Sequence, residues 1–199
     1  MSQEAIYSTL LKRDRQQLHE RVAQAIERDA FLPPDEQSQT LAYHYAESAA
    51  PLQAIPFLLA AAQNAARRYA NETAIQHYQR ALSLMLDQRV QVGDELFRAY
   101  LGLGQVLKFV GKFADAIQSL SEARQLLQRQ ELRSDFHLSM LVSVLSELAD
   151  IRQREGALDE SIAHLEDGLA VLGTAGAQKY RQHWCTLMDR MSWVRFRQG

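Results

Sequence analysis

The chain has 199 residues, 47% hydrophobic and 23% charged, with four prolines. That balance excludes the disordered and low-complexity classes, and a chain of this size buries roughly 70% of its unfolded surface. The formal net charge of −2 gives no whole-molecule argument for nucleic acid, a membrane surface or a strongly charged substrate.

A single cysteine, Cys185, excludes an internal disulfide framework and fits a reducing compartment. The longest apolar run, residues 54–62, is far shorter than the ~20 residues of a membrane span, and no basic, apolar leader opens the chain. A cytoplasmic protein without membrane association is expected.

Residues 3–30 carry Ile6, Leu10, Leu18, Val22 and Ile26 at helical spacing, with Tyr7, Leu11, Ala23 and Ala25 beside them. Pro33 and Pro34 end this predicted helix, because neither donates a backbone hydrogen bond and each pushes its predecessor out of helical geometry. The boundary divides the chain into a connecting amphipathic helix, 1–34, and a helical array, 35–199. Asp35 is the expected N-cap of the next helix, which runs to about residue 48 and presents Leu41, Ala42, Tyr45 and Ala46.

Pro51 suits the first turn of a third helix with Ala54, Leu58, Ala61 and Ala65 inward, reaching about residue 69. Asn71 caps a fourth, on which Ala74, Tyr78 and Ala81 repeat the spacing of Ala54, Leu58 and Ala61 twenty residues on. Gly93 and Asp94 open a fifth. Residues 97–128 then read as two amphipathic helices closed across Gly111, with small residues at Gly104, Ala116 and Ala123 and large ones at Tyr100, Leu103, Leu107, Phe113 and Leu120. Helix axes approach closely only where one presents Gly or Ala and the other fills the groove with a bulky side chain.

These offsets resemble one tetratricopeptide (TPR) unit. The unit recurs: Gly111/Gly156, Gly104/Ala149, Leu103/Leu148, Phe113/Leu158, Leu120/Leu165 and Ala123/Gly168 all lie 45 residues apart, with Ser161 and Gly168 replacing the usual alanines. A polar connection over 129–135 leads into a helix predicted over 136–155. Gly173 and Gly176 break the chain before a last helix over 177–197.

Gly199 stands 43 residues after Gly156, with Ser192 in the small position. The array is therefore expected to be truncated in its last repeat, leaving Met188, Met191, Trp193 and Phe196 uncovered. The expected fold is all-α, a TPR-like right-handed superhelix of antiparallel helix pairs (an α-α solenoid) with about nine helices.

A second resemblance lies before residue 87. The run IYSTLLKRDRQQLHERVAQAIE, then LAYHYAESAAPLQAIPFLLAAAQNAARRYANETAIQHYQRAL, is similar to the segment following the ATPase and winged-helix modules of signal-transduction ATPases with numerous domains (STAND). Tyr7, Leu10, Leu11, Arg15, Leu18, His19 and Ala23 match that family's connecting helix. Ala42, His44, Tyr45, Ala54, Ala61, Ala65, Ala74, Tyr78, Ala81 and Leu82 match its first repeats. The resemblance implies a regulator whose ATPase switch lies upstream and contacts this array, with cyclase, kinase or transcription-factor domains as effectors. It assigns no catalytic residue to these positions.

Catalytic and cofactor motifs are better explained structurally. Gly104 and Lys112 are too far apart for a phosphate loop, with Phe113 in the hydroxyl position, and Gly102-Leu103-Gly104 lacks the third glycine of a dinucleotide loop. His19, His44, His77, His137, His164 and His183 sit on different predicted helices, and His183 and Cys185 face different ways, so no metal shell is expected. Asp159/Glu160 and Glu166/Asp167 read as helix-start and solvated carboxylates. Lys179, Arg181, Arg190, Arg195 and Arg197 interleave with Trp184 and Trp193, and arginine stems lying over apolar surface account for them better than nucleic-acid contact. No enzyme activity and no cofactor are expected.

In TPR arrays the first helix of each pair lines the concave surface. Transferred here, that pattern selects Gln63 and Arg67; Arg98, Leu101, Gln105, Lys108 and Phe109; Ser146, Asp150, Gln153 and Arg154; and Asp189, Trp193 and Arg197. The expected function is a non-catalytic interaction or sensor arm binding a peptide or protein on this groove. TPR modules that clamp a C-terminal carboxylate carry Lys and Asn where this chain has Leu101 and Gln105, which argues against that ligand class. The alternatives are a self-association module, giving a homo-oligomer through the helix around Trp193, and a small-molecule effector pocket.

Overall fold

The computed structural model describes residues 11–29, 32–87, 93–129, 135–173 and 176–198, and every element among them is helical. Consecutive helices pack in pairs, as expected of a helical repeat. Ile6, Tyr7, Leu10, Gly199 and most of the 129–135 connection lie outside the described residues. No described helix is long and apolar enough to cross a membrane. The chain forms two compact units, Met1–Gly102 and Leu103–Gly199.

The first unit contains α1 (Lys12–Asp29), α2 (Pro34–Ala46), a 3-10 turn (Pro51–Ala54), α3 (Ile55–Arg67) and α4 (Asn71–Asp87). Helix α5 (Gly93–Phe109) contains the boundary between Gly102 and Leu103. On α1 the buried stripe is His19, Ala23 and Ile26, and Leu11 and Leu18 are exposed. The sequence-predicted stripe through Leu18 is thus rotated by one residue, because His19 finds a partner on α2.

Asp35 does not cap α2. Pro33 is the N-cap residue and Pro34 the first helical residue, which leaves Asp35 in the first turn, where its charge still complements the helix dipole. The third predicted helix opens as a tight 3-10 turn at Pro51 before continuing as α3. Leu41, Ala42 and Tyr45 of α2, Leu58, Ala61 and Ala62 of α3, and Ala74, Tyr78 and Ala81 of α4 form the core. Tyr78 lies against Gly102, where a Cβ would clash with its ring.

The second unit contains the end of α5, then α6 (Phe113–Arg129), α7 (Asp135–Glu155), α8 (Leu158–Leu172), the short α9 (Gly176–Lys179) and α10 (Arg181–Gln198). The predicted close approaches are present. A Cβ at Gly104 would lie 2.7 Å from Leu120 of α6, and one at Gly168 would lie 3.1 Å from Leu187 of α10. Fully buried Ser161 donates its hydroxyl to the Ala149 carbonyl at 2.8 Å, so the serine that replaces alanine is satisfied across the helix pair.

The last predicted helix is interrupted at Tyr180, whose ring packs with Trp184 against the cluster of Val142, Leu165, Leu172, Leu187 and Val194. Met191, expected to be uncovered, is buried in that cluster. Trp193 and Phe196 are 54% and 78% exposed.

The turns closing α3, α5 and α7 are the same device. In each, one residue in the left-handed region ends the helix: Tyr69 at φ 60°, Gly111 at 79° and Gly156 at 83°. Each shows the paired back-bonds of a Schellman motif. The bonds spanning five residues run from the N–H of Ala70 to Ala65, Lys112 to Leu107 and Ala157 to Arg152, all 2.9 Å, and those spanning three from Tyr69 to Ala66, Gly111 to Lys108 and Gly156 to Gln153, at 3.0, 3.1 and 3.2 Å. The repeat spacing thus extends back through Tyr69, 42 residues before Gly111.

Candidate functional site

The candidate site lies in the second unit, on the face made by the last turn of α5, the middle of α7 and the first half of α10. Lys108, in the final turn of α5, suits that position because its charge complements the helix C-terminus. Its Nζ donates to Glu147 Oε2 and Asp150 Oδ2 of α7, both at 2.6 Å. All three side chains are largely buried, at 16% exposed for Lys108 and 19% for each carboxylate. Gln105 Nε2 donates to the other Glu147 oxygen at 3.0 Å, and Arg154 Nε donates to Asp150 at 3.3 Å.

Arg190 of α10 donates to the Ser146 carbonyl at 2.9 Å. Burial by itself would raise the Asp150 carboxyl. The Lys108 hydrogen bond and the charges of Lys108, Arg154 and Arg190 outweigh it and hold the group below the usual carboxylate range.

Beside this lock is a cavity of about 320 Å³. Val142 and Leu187 form its buried floor, and Gln105, Ser143, Ser146, Glu147, Gln182, His183 and Thr186 its polar wall. His183 Nε2 lies 3.0 Å from Ser139 Oγ, with the donor set by the tautomer. Besides the His183 imidazole the wall presents amides and hydroxyls, and its one carboxylate is already engaged by Lys108 and Gln105. Such a wall can donate to and accept from uncharged polar groups above an apolar floor, and Lys108 ties its Glu147 to α5.

Of the sequence-predicted groove residues, Gln105, Lys108, Ser146, Asp150 and Arg154 come together here. Lys108 and Asp150 satisfy each other. Gln153 is half-buried on α7, and Phe109, Asp189 and Arg197 are exposed. Trp193 stacks on Phe196 with centroids 6.2 Å apart and does not line the cavity.

In the first unit, Gln63 and Arg67 are exposed on α3, where Arg67 hydrogen-bonds Asn64, while Arg98 is exposed and Leu101 half-buried on α5. A second cavity, about 240 Å³, lies in that unit beside the Arg68–Asp35 ion pair, with Gln39, Asn64, Thr73 and His77 on its wall. Burial holds the His77 imidazole below its ordinary range.

Ser143, Glu147, Gln182, His183, Thr186 and Arg190 were not selected from the sequence. A signal existed for two of them, since Ser143 and Thr186 follow Arg98 at 45 and 88 residues, in step with the repeat. Among the described residues no three His, Cys, Asp or Glu side chains are grouped to hold a metal ion. No protein-family model and no curated protein sequence matches the chain.

Proposed function

We propose that the chain is the non-catalytic protein-binding arm of a cytoplasmic, STAND-type regulator, and that the first-helix face of its second unit takes up a peptide or protein partner. Its helix pairs are read as TPR-like, with the right-handed winding of that class. The observation that carries the reading is the convergence of Gln105, Ser143, Ser146, Gln182 and Thr186 on one cavity floored by Val142 and Leu187. Cross-helix bonds from Lys108 and Arg190 fix this surface before any partner arrives, which reduces the ordering cost of binding. In the regulator, binding here would favour one orientation of the upstream switch over another.

Thr186→Trp and Ser143→Trp would fill the cavity from its rim. A partner captured by the wild-type chain, then purified and titrated by calorimetry, should bind either variant about tenfold or more weakly. Unchanged affinity in both, with the fold intact by circular dichroism, would reject this face as the binding site.

Self-association is a second reading, carried by the exposed Trp193–Phe196 stack. Sedimentation should then show a dimer that Trp193→Ser abolishes. A wild-type monomer at every concentration would remove the idea.

A further inference from the structure

His19 of α1 and His44 of α2 meet with their Nδ1 atoms 2.9 Å apart and their ring centroids 5.1 Å apart. His19 is 6% exposed, in the same inward stripe as Ala23 and Ile26. The Tyr43 ring stands edge-on to both imidazoles, 5.5 Å from His19 and 5.2 Å from His44. We propose that this pair is a proton-operated latch that docks α1 on α2 near neutral pH and releases it in mild acid.

The chemistry follows from proton placement. A hydrogen bond between two facing Nδ1 atoms needs one that carries a proton and one that does not. Two neutral rings satisfy it when one is the Nδ1–H tautomer and the other the Nε2–H tautomer. One added proton also satisfies it, since an imidazolium then donates to a neutral ring. A second added proton does not, because two N–H groups and two positive charges then face each other inside the α1–α2 contact. At 6% exposure the His19 ring is enclosed, so this repulsion acts against the α1–α2 contact.

Charged groups flank the pair on both helices. On α1, Arg15 lies one turn before His19, while Glu27 accepts the Tyr45 hydroxyl and Glu20 also acts on Tyr45. Glu47, the C-cap residue of α2, faces Arg80 at 3.8 Å, and Asp35 in the first turn of α2 pairs with Arg68. The Pro51–Ala54 turn has no titratable side chain, and α3 has only Arg67, at its far end beside Asn64. Burial, then the charge of His19, hold His44 below the ordinary histidine range. The open state therefore binds the second proton more tightly than the closed one, and opening increases as pH falls.

Hydrogen exchange of the whole chain at pH 7.5 and 5.0, corrected for the intrinsic rate, tests the latch. The amides of Lys12–Asp29 should lose about tenfold in protection at the lower pH, while those of α3 lose less. In His44→Gln the side-chain amide can still donate to His19, but no second proton can enter, so the loss should shrink below about threefold. His19→Gln serves as an independent variant with the same expectation. Equal α1 protection at both pH values, or an undiminished loss in both variants, would overturn the proposal.

Discussion

Lys108 and Asp150 stand 42 residues apart in sequence and 2.6 Å apart in the fold, in an ion pair that joins α5 to α7. Lys108 also bonds Glu147, so a residue that reads as a free groove cation instead locks two first helices together. Pairs this buried contribute less than their Coulomb attraction, but removing one partner strands the other.

Lys108→Met should therefore cost about 2 kcal/mol at neutral pH, because it removes the cation that both largely buried carboxylates share and leaves Glu147 only Gln105 and Asp150 only the longer bond from Arg154. The folded Asp150 carboxyl titrates below its usual value, so its stabilising effect is present above pH 3.8 and is lost as pH falls through the lowered folded value. The gap between wild type and variant should narrow in that acid range. Urea denaturation at pH 7 and pH 3 measures both; an equal gap at the two pH values would contradict this account.

Tyr69 occupies the left-handed turn position that Gly111 and Gly156 hold after α5 and α7. For a side chain bearing Cβ that conformation costs roughly 1–2 kcal/mol, partly offset by the greater freedom of glycine in the unfolded chain. Tyr69→Gly should stabilise the protein by about 0.5–1 kcal/mol, whereas Gly111→Ala and Gly156→Ala should each destabilise it by about 1 kcal/mol. Chemical denaturation gives all three signs, and a loss of stability in Tyr69→Gly would show that contacts of the exposed ring outweigh the backbone strain.

Gly104 and Leu120 interlock α5 with α6. Gly104→Ala would place a methyl group 2.7 Å from Leu120 Cγ and should cost about 1–3 kcal/mol by overpacking. Leu120→Ala should cost about 2–5 kcal/mol by leaving a cavity. The two faults occupy the same space, so the double variant should be more stable than the sum of the singles implies, by about 0.5 kcal/mol or more. Strict additivity in a double-mutant cycle would show that the helices separate rather than interlock.

Burial pushes the Tyr78 hydroxyl up to about 12, while it lies against Gly102 in the core of the first unit. A raised folded value means stability is intact below pH 10 and lost as pH rises through about 12. Ultraviolet titration should show delayed phenolate formation that coincides with loss of helical signal, and Tyr78→Phe should remove that component. Phenolate formation complete by pH 11 in a folded chain would refute it.

Helical periodicity, the turns at Gly111 and Gly156, and the small-against-large match of Gly104 with Leu120 are all legible in the sequence, because each follows from local chain geometry or from a repeated packing distance. The turn at Tyr69 is not, since no glycine marks it and only the back-bonds around it reveal the conformation. The rotation of the α1 stripe onto His19, the Lys108 lock and the wall of Gln182, His183 and Thr186 were likewise decided by the tertiary structure. Apolar burial leaves a period that can be read along one helix. A polar side chain on a helix face carries no mark of its partner, which lies 25 residues away for His19 with His44 and 42 for Lys108 with Asp150. Only packing brings such groups within bonding distance and so determines which charges are spent on holding the fold and which remain for a partner.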